Sequence, residues 1–515
     1  MIADQTTSGC SREPLRQSPS TGLRVRPVEL TPVLSLTDHQ RSALDAALRG
    51  GPVLSALVES FTAAGHELYL VGGTVRDALL GRLSTDLDYT TSARPDQIEA
   101  LVRRFTKAVW DVGREFGTIA CRITEADGTW FQVEITTFRA DTYRDDTRKP
   151  VVQFGDHLGA DLIRRDFTIN AMALDVTTGE LLDPFDGLVD LEQLAIRTPA
   201  APELSFSDDP LRMMRAARFA SQLSFRPAPE VVAAMSAMAD RISIVSAERI
   251  RDELVKLLLT DNPRLGLDLL VQTGLADIVI PELPALRMER DEHNHHKDVY
   301  QHTLTVIEQA IELERARGSE PDLINRLAAL FHDIGKPATR RFEADGKVSF
   351  HHHDVVGAKL TRKRMRALHF SNDQINAVAT LVELHLRFHG YGEGHWSDSA
   401  VRRYVRDAGP ELEHLHILTR ADCTTRNQRK ADRLRRAYEE LEWRIDELSA
   451  QEELDSIRPD LDGTQIMELL GIGEGRDVGA AYKFLLERRM EEGPLGEERA
   501  RAELMDWWRH RTTAE

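Results

Sequence analysis

The chain has 515 residues, of which 41% are hydrophobic and 29% charged, and 66 Lys and Arg against 84 Asp and Glu give a formal net charge of −18. This length predicts several domains, and the composition excludes collagenous, mucin-like and wholly disordered proteins. The acidic balance excludes a generic nucleic-acid-coating protein but leaves RNA contact through a local basic surface open.

The sequence predicts a cytoplasmic protein that does not enter a membrane. No stretch approaches the ~18 uncharged apolar residues that a membrane span needs, and we expect no secretory signal. The three cysteines, Cys10, Cys121 and Cys423, are far apart and form no CxxC pair. A disulfide framework and a thiolate zinc site are therefore not expected.

The first 200 residues predict a disordered extension followed by an α/β domain. Residues 1–40 are assigned to the extension because they are rich in Ser, Thr, Pro, Arg and Gln and lack periodicity. A helical run from about Ala43 is closed by Gly65, and a short apolar strand then ends in Gly72-Gly73. Alternating segments such as FQVEITTF continue the α/β pattern, so residues 41–200 form the predicted α/β domain.

After residue 200 the pattern is almost entirely helical. Residues 201–290 predict a helical neck and body, and residues 291–425 form a separate domain because 14 of the 18 histidines lie between His293 and His416. Residues 426–515 predict a helical tail that begins with six basic residues in eleven. That basic run predicts either phosphate contacts with RNA or a solvated helix face.

The segment LYLVGGTVRDALLGRLSTDLDYTT holds the first candidate site. Gly72-Gly73 before a helix lets backbone N–H groups approach a phosphate, although a plain tight turn has the same pattern. Arg76, followed by Asp77, lies in the first turn, where its guanidinium can reach phosphate oxygens.

Paired carboxylates follow the glycine turn. Asp86 and Asp88 on one strand face the same side and repel each other unless a cation lies between them, which suits Mg²⁺. Glu134, on the polar side of a neighbouring strand, is the predicted third ligand of a two-metal site. The alternative is a set of solvated strand carboxylates.

Five motifs in order resemble those of class II tRNA nucleotidyltransferases, a family that includes bacterial poly(A) polymerases. They are GGTVRDALLGRLSTDLDYTT, RRDFTINAMA, DPFDGLVDL, DDPLRMMRAARF and SAERIRDEL. The resemblance implies a multidomain protein with an α/β polymerase-beta-like nucleotidyltransferase head, an all-α neck and body, an HD domain and a helical tail. It also implies template-independent addition of CCA to the 3′ end of tRNA from CTP and ATP with Mg²⁺, releasing pyrophosphate.

The resemblance assigns base selection to Asp209 and Arg212, which the spacing of three predicts on one helix face. A carboxylate accepts from an exocyclic amine and a guanidinium donates to a ring nitrogen, so the pair fits cytosine and adenine but not guanine and uracil. An N-capping Asp followed by a basic helix face is the alternative. The other nucleotide contacts that the resemblance implies are Arg164 and Arg165 for the triphosphate, Asp166 and Asn170 for the loop around it, and Arg215 and Arg218 for phosphate or helix packing.

Two further segments bear on which nucleotides are added. Residues 142–161 resemble the family's flexible loop, which is associated with the switch from C to A addition and favours a complete CCA-adding enzyme. Residues 112–119, with Glu115 and Gly117-Thr118, look more like the CCA-adding branch than the poly(A) polymerase branch. Poly(A) polymerase activity remains the alternative within the family.

The histidine-rich region resembles the HD phosphohydrolase superfamily through FHDIGKP and its surroundings. Histidine together with carboxylate suits a divalent metal that generates hydroxide for phosphoester hydrolysis. The resemblance implies His302, His332, Asp333 and Asp422 as ligands of a metal whose identity stays open, with His353 and His385 for a second metal or phosphate. A phosphodiesterase or phosphatase, a purely structural HD domain, and an RNA hydrolase centred on this site are the alternatives.

Overall fold

The computed structural model describes residues 30–33, 35–139, 155, 157–287, 298–344, 348–388, 396–424, 427–452 and 458–512, with only the backbone at 115, 451, 452 and 512. Residues 1–29 and 34 of the predicted extension, most of the predicted loop 142–161, the Glu115 side chain and Arg426 lie outside this description. Residues 38–40 of the predicted extension already belong to the first helix. The chain forms two compact units. Of the described residues, the first unit comprises those up to 139, 155, 157–163 and Ala171–Phe185, and the second comprises Arg164–Asn170 and those from 186 onward.

The first unit is built on a mixed sheet with the strand order β3-β4-β5-β2-β1-β6-β7, in which β2 and β5 are parallel and the other neighbours antiparallel. Its strands are β1 Leu68–Val71, β2 Asp86–Thr91, β3 Val109–Gly113, β4 Thr118–Thr124, β5 Trp130–Thr137, β6 Ala173–Asp175 and β7 Leu181–Leu182. Its helices are α1 Asp38–Leu48, α2 Pro52–Ala63, α3 Gly73–Leu79, α4 Pro95–Val102 and α5 Leu158–Ile163, with a 3₁₀ turn at Arg114–Phe116.

Along β2, β4 and β5, one face of the sheet is apolar and buried and the other carries mostly polar side chains. A second buried apolar cluster covers the latter face at β1, β6 and β7, and it consists of Val71, Phe138, Leu158, Leu162, Ala173 and Leu182. Strand residues alternate between faces, and Leu87, Cys121, Ile123, Val133 and Ile135 are all at most 4% exposed. Helices α2 and α4 pack on β4. The α/β fold that the sequence predicts for the head is confirmed.

The single helical run expected from Ala43 to Gly65 is wrong, because it is two helices. Helix α1 ends before Arg49, and α2 begins at Pro52. The break has a local cause, because a proline disfavours helical backbone in the residue that precedes it. The backbone N–H groups of Val53 and Leu54 donate to the buried Glu125 carboxylate at 3.0 and 2.9 Å. A Cβ at Gly51 would lie 2.1 Å from Glu125 Cδ, so only glycine admits this carboxylate at the helix start.

The second unit is helical, as the sequence predicts for the chain after residue 200. Its helices are α6 Gly187–Glu192, α7 Pro202–Asp208, α8 Leu211–Leu223, α9 Pro229–Ala237, α10 Ala247–Leu258, α11 Pro263–Gln272, α12 Leu275–Val279, α13 Val299–Ala316, α14 Leu323–Phe331, α15 Lys336–Thr339, α16 His353–Ala367, α17 Asn372–Leu384, α18 Asp398–Ala408, α19 Leu412–Ala421, α20 Gln428–Glu452, α21 Gly463–Leu470, α22 Arg476–Glu492 and α23 Glu497–Thr512. Short strands are β8 Ala195–Ile196, β9 Arg226–Pro227, β10 Arg341–Phe342 and β11 Val348–Ser349, and 3₁₀ turns are Thr168–Asn170, Ala239–Ile244, Pro284–Leu286 and Gly409–Glu411.

A buried ion pair ties the body helices to the histidine-rich region. Arg326 and Glu314 are each 2% exposed, and Nη2 of Arg326 lies 3.1 Å from Glu314 Oε2. Nη1 of Arg326 donates to the carbonyls of Leu258 and Thr260 at 2.6 and 2.7 Å. Helices α13, α14, α17 and α19 pack together here. Among the described helices, none combines the length and apolar character that crossing a membrane requires.

Candidate functional site

The three predicted head carboxylates lie on one face of the sheet. Asp86 and Asp88 are exposed on β2 while Leu87 between them is buried, as strand alternation requires. In the parallel β2–β5 ladder, Asp88 is the register partner of Glu134. Because paired strands are about 4.8 Å apart, the three carboxylates form one anionic patch in which a cation offsets the mutual repulsion.

Thr74, which the sequence reasoning did not single out, joins the glycine turn to this patch. Gly72 has φ 68° and ψ −138°, a conformation that favours glycine, and α3 begins at Gly73. The Thr74 hydroxyl donates to the Asp86 carbonyl at 3.3 Å and accepts from the Asp88 N–H at 3.1 Å. A small hydroxylated residue just after a Gly-Gly pair is the signal that was available.

Arg76 and Asp77 pair with each other within α3. Arg76 is 4% exposed, and its Nε and Nη2 donate to Asp77 Oδ1 and Oδ2 at 2.9 and 2.7 Å. Two of the N–H groups that were predicted to meet phosphate are thus used by the neighbouring carboxylate. A Cβ at Gly73 would lie 3.4 Å from Arg76 Nη2, so the guanidinium lies close to the glycine turn.

In the second unit, Asp166 forms hydrogen bonds with two other predicted nucleotide contacts, Asn170 and Arg215. Its Oδ1 accepts from the Phe167 N–H and from Asn170 Nδ2, both at 2.9 Å, and its Oδ2 accepts from Arg215 Nε at 2.7 Å. Burial raises the pKa of this carboxyl, but the Arg215 charge and the hydrogen bonds outweigh burial and hold the pKa at about 2. Asp166 therefore fixes both its own loop and the Arg215 guanidinium.

Replacing Asp166 with Asn is expected to lower the free energy of unfolding at neutral pH by about 2 kcal/mol, because Arg215 loses a charged hydrogen-bond partner. The folded-state pKa lies below the usual 3.8, so the carboxylate stabilises the fold above about pH 4 and this contribution is lost as the pH falls towards 2. Urea unfolding at about pH 7 and pH 3 should show a smaller deficit at pH 3. An equal deficit at both pH values would contradict this account, and Asp240→Asn, at an exposed position, is the control.

The expectation that Asp209 and Arg212 share a helix face is wrong. Helix α8 begins at Leu211, and Asp209 has an extended backbone with φ −139° and ψ 99°. The cause is Pro210, which disfavours helical backbone in the residue before it. The Oδ1 atom of Asp209 accepts from the Leu211 N–H, two residues further on, at 3.1 Å, as in an Asx turn before the helix.

Both members of this pair have protein partners. Oδ2 of Asp209 lies 3.0 Å from Nη2 of Arg249, a residue on α10 that the sequence reasoning missed. Arg212 is 7% exposed; its Nη1 donates to Ser205 Oγ at 2.8 Å and its Nη2 to the carbonyl of Arg164. Arg212 thus holds the backbone of the loop that carries Arg164 and Arg165.

Arg218 serves helix packing, one of its two predicted roles. Its Nε donates to Glu253 Oε2 at 2.7 Å and its Nη1 to Gln222 Oε1 at 2.6 Å. Glu253 is 4% exposed on α10, so the ion pair joins α8 to α10 in a buried position. The motif SAERIRDEL, in which Glu253 stands, therefore supplies the counter-charge for the basic face of α8.

Six predicted residues meet in the histidine-rich region in two groups of potential ligands: His302, His332 and Asp422; and Asp333, His353 and His385. Nε2 of His302 lies 2.9 Å from Asp422 Oδ1 and 3.3 Å from Nε2 of His332. Oδ2 of Asp333 lies 3.2 Å from His332 Nε2, and its Oδ1 lies 3.4 Å from His353 Nε2. The two groups are therefore adjacent.

The backbone orients the imidazoles towards the centre of this cluster. Nδ1 of His332, His353 and His385 each lies 2.6 to 2.8 Å from the carbonyl of the residue three positions earlier. Nδ1 thereby carries the proton and Nε2 keeps a lone pair for a cation. Burial, with the neighbouring His332, lowers the pKa of His385 to about 4, and its Nε2 is buried without a hydrogen-bond partner among the described residues. These donors fit a divalent metal.

Gly335 permits the close packing on which this cluster depends. A Cβ at Gly335 would lie 2.1 Å from the carbonyl oxygen of His353 and 2.7 Å from the nitrogen of Gly357. The turn that carries His332 and Asp333 thus touches the start of α16, which carries His353. The close approach of backbone to backbone is invisible in the motif FHDIGKP itself.

Replacing Gly335 with Ala is expected to weaken binding of Mn²⁺ at this cluster by about 10-fold or more, because the ligands must move apart. Titration calorimetry on the full chain measures the affinity, and the melting temperature shows whether the fold survives. Gly463→Ala is the matched control, since a Cβ there meets nothing within 4 Å. Unchanged Mn²⁺ affinity in the Gly335 variant would contradict the role given to this contact.

Comparison with known proteins identifies the family. A model described as the poly A polymerase head domain matches residues 68–197, one described as a probable RNA and SrmB-binding site of polymerase A matches 224–286, and the HD domain model matches 299–427. An A-adding tRNA nucleotidyltransferase from Deinococcus radiodurans is 33% identical over 452 residues, which cover 85% of this chain and 95% of that protein. The chain belongs to the tRNA nucleotidyltransferase family.

Relatives within the tRNA nucleotidyltransferase family differ in how much they share. A CCA-adding enzyme from Levilactobacillus brevis is 45% identical over 225 residues, 44% of this chain and 53% of that protein. The chain spans about half the length of the curated CCA-adding relatives it matches. The crystal structure of Bacillus stearothermophilus CCA-adding enzyme in complex with CTP superposes with a TM-score of 0.63 at 25% identity, covering 90% of this chain and all of that one. The polymerase-type head and the HD domain both imply use of divalent metal ions.

Proposed function

We propose that this protein completes the CCA end of tRNA by template-independent transfer of nucleotides from CTP and ATP, with release of pyrophosphate. The observation that carries the proposal is the convergence of Asp86, Asp88 and Glu134 on one open sheet face beside the Gly72-Gly73 turn. The family relationship supports the same reaction, because relatives that share the head are named CCA-adding enzymes.

In this proposal the head carboxylates hold Mg²⁺. Bound Mg²⁺ supplies activation of the attacking 3′-hydroxyl and neutralisation of the triphosphate. Thr74 fixes the backbone of Asp86 and Asp88, so the two carboxylates are preorganised before substrate arrives. The Gly72-Gly73 turn and the start of α3 offer backbone N–H groups to phosphate oxygens.

Base selection is assigned to Asp209 and Arg212 by their place in the motif. The shared helix face no longer supports this assignment, but the chemistry of carboxylate and guanidinium towards cytosine and adenine does. Arg249 holds one oxygen of Asp209, and Arg212 is anchored to Ser205 and the Arg164 loop. These contacts fix the two groups in place, as discrimination between bases requires.

Addition of A alone is a second candidate function. The relative that matches nearly the whole chain, from Deinococcus radiodurans, is named an A-adding tRNA nucleotidyltransferase. The predicted loop 142–161, which favours complete CCA addition, lies mostly outside the described residues. Substrate tests therefore decide between the two activities.

The deciding experiment measures incorporation of each labelled NTP, with Mg²⁺, into three tRNA transcripts: one without the CCA end, one without only the final A, and one complete. Sequential C, C and A addition that stops at the complete end is the expected result. Incorporation of A only, and only into the transcript ending in CC, would establish A addition, and a long A tail would mean polyadenylation. The absence of any incorporation would overturn the transferase proposal.

The HD cluster is proposed to bind a divalent metal and hydrolyse phosphoesters, as a phosphatase or cyclic phosphodiesterase. The support is the convergence of all six residues, including the buried lone pair of His385, in one place. Lys336 lies 2.6 Å from Asp333 and adds a positive charge at the edge of the cluster. Such a charge favours a phosphate-bearing substrate.

The tail is proposed to contact tRNA through phosphates. Five basic residues of the run lie on α20 and are exposed, namely Arg429, Lys430, Arg433, Arg435 and Arg436. Contacts of this kind depend on salt and not on sequence. The division into domains at 40, 200, 290 and 425 and a cytoplasmic location belong to the same proposal.

A further inference from the structure

The face of the head sheet that carries the carboxylates also carries two exposed tryptophans. Trp110 is 38% exposed and Trp130 is 44% exposed. The register runs from Asp88 to Glu134, from Glu134 to Ala120 and from Ala120 to Trp110, so these residues form one row across four strands on the same face. Within this row Ala120 is fully buried between the side chains of its neighbours. Trp110 is three strand spacings from Asp88, or about 14 Å.

Arg122 completes this surface. It is exposed on β4, with buried Cys121 and Ile123 pointing to the opposite face. Its register partner is Gln132, and its guanidinium lies 4.9 Å from the centre of the Trp130 ring, within cation–π range. We call Trp110, Arg122 and Trp130 the aromatic platform.

The packing of the head does not explain the platform. The core that packs on β4 and β5 lies on the other face, where these strands present Ile119, Ile123, Val133 and Ile135, each at most 2% exposed. Keeping two large aromatic rings in contact with water is unfavourable unless a ligand covers them. A cross-strand Arg–Trp pair adds only about 0.2–1 kcal/mol to the sheet.

The chemistry of the platform fits unpaired nucleotides. Aromatic rings stack on bases irrespective of sequence, and a guanidinium beside them meets the phosphates. The platform also continues in register from the carboxylates at which the 3′-hydroxyl of an acceptor must lie. An acidic or apolar protein segment would gain nothing from this continuity with the carboxylates.

We propose that the aromatic platform binds the single-stranded 3′ end of the RNA acceptor, stacking its terminal bases on Trp110 and Trp130 while Arg122 contacts the backbone. This inference rests on the proposed function, because it takes the sheet face as the place of nucleotide transfer. It adds to that function a site that binds the acceptor nucleotides on the 5′ side of the reacting hydroxyl.

The test compares the wild type with a Trp110→Ala, Trp130→Ala double variant on tRNA that lacks its CCA end. The KM for tRNA is expected to rise about 10-fold or more, while the KM for CTP and the kcat at saturating tRNA stay within about twofold. A Trp110→Phe, Trp130→Phe variant should recover most of the affinity, because Phe also stacks. Phe342→Ala, at an aromatic residue of β10 that is 67% exposed, is the control that should change nothing.

Direct binding separates this inference from the proposed function. By fluorescence anisotropy, the alanine variant should bind the tRNA transcript more weakly and bind a blunt-ended RNA hairpin like the wild type. Arg122→Gln should reduce the salt dependence of tRNA binding by about one phosphate contact. These measurements need no nucleotide transfer, so they decide the platform even if the wild type incorporates nothing.

Three outcomes would overturn the platform. The first is an unchanged KM and anisotropy for tRNA in the alanine variant. The second is an equal loss of tRNA affinity in the phenylalanine variant, which would mean that the tryptophans act through their packing in the head and not by stacking on bases. The third is a rise in the KM for CTP without a rise for tRNA, which would assign the surface to the incoming nucleotide.

Discussion

Under the proposed function, an Asp88→Asn variant is expected to incorporate CMP and AMP into tRNA about 10³-fold or more slowly than the wild type. Asn keeps the size of the side chain but removes half of the charge that Asp86 and Asp88 present on β2. The activation that a metal at this position supplies amounts to several kcal/mol, and each 1.36 kcal/mol is a factor of 10 in rate. Single-turnover incorporation at saturating CTP and tRNA measures the effect.

Binding and folding controls distinguish this loss from damage to the fold. The sheet pairing of β2 with β5 depends on backbone hydrogen bonds and on the buried Leu87 and Tyr89, so the melting temperature should change little. Asp127→Asn removes an equal charge from the exposed turn between β4 and β5 and should leave the rate unchanged. An Asp88→Asn rate within about 10-fold of the wild type would remove Asp88 from the metal site.

A variant carrying His332→Ala and Asp333→Ala is expected to bind Mn²⁺ at the HD cluster about 100-fold or more weakly and to lose the phosphodiesterase activity proposed for this site. The reason is that these neighbours supply one ligand to each group of the cluster, so a single pair of substitutions damages both. Titration with Mn²⁺ and hydrolysis of a 2′,3′-cyclic nucleotide measure the two losses.

The matched controls for this second prediction come from the same region. His351→Ala and His352→Ala remove exposed histidines beside the ligand His353 and should leave Mn²⁺ affinity unchanged. Nucleotide incorporation by the His332, Asp333 variant should also stay within about twofold of the wild type, because the proposed transferase chemistry uses the head carboxylates. Retained Mn²⁺ affinity would show that the cluster is not the metal site.

Together these two variants separate the candidate functions. Under the transferase proposal, Asp88→Asn abolishes incorporation and spares hydrolysis, whereas the HD variant does the reverse. If the HD site were the working centre of an RNA hydrolase, the protein would show hydrolysis that Asp88→Asn does not affect, and no incorporation in any form.

Local sequence was sufficient wherever the function of a residue follows from its neighbours in the chain. The period of two in DLD placed Asp86 and Asp88 on one face, and the alternation in FQVEITTF placed Glu134 outside the core. The family motifs were equally sufficient for the histidine cluster, since all six predicted residues meet. In each case a short motif and strand or helix periodicity determine where the side chain points.

Where a proline or a distant partner intervened, sequence spacing was misleading. The spacing of three between Asp209 and Arg212 predicted one helix face, but α8 begins only at Leu211, after Pro210, so Asp209 lies outside the helix. Arg249, which holds Asp209, lies 40 residues further along the chain. The segment DDPLRMMR alone therefore could not have predicted the contact with Arg249.

The sequence by itself thus determined the order of the α/β head and the helical units, the carboxylates of the sheet and the members of the histidine cluster, because local periodicity and motifs encode them. Only the tertiary structure decided that Asp88 pairs in register with Glu134, that Gly335 touches the backbone of His353, and that Trp110 shares a face with the carboxylates. These facts depend on which strands and turns become neighbours. Which strands and turns become neighbours depends on the burial of apolar surface summed over a whole unit, so it cannot be predicted from a short segment.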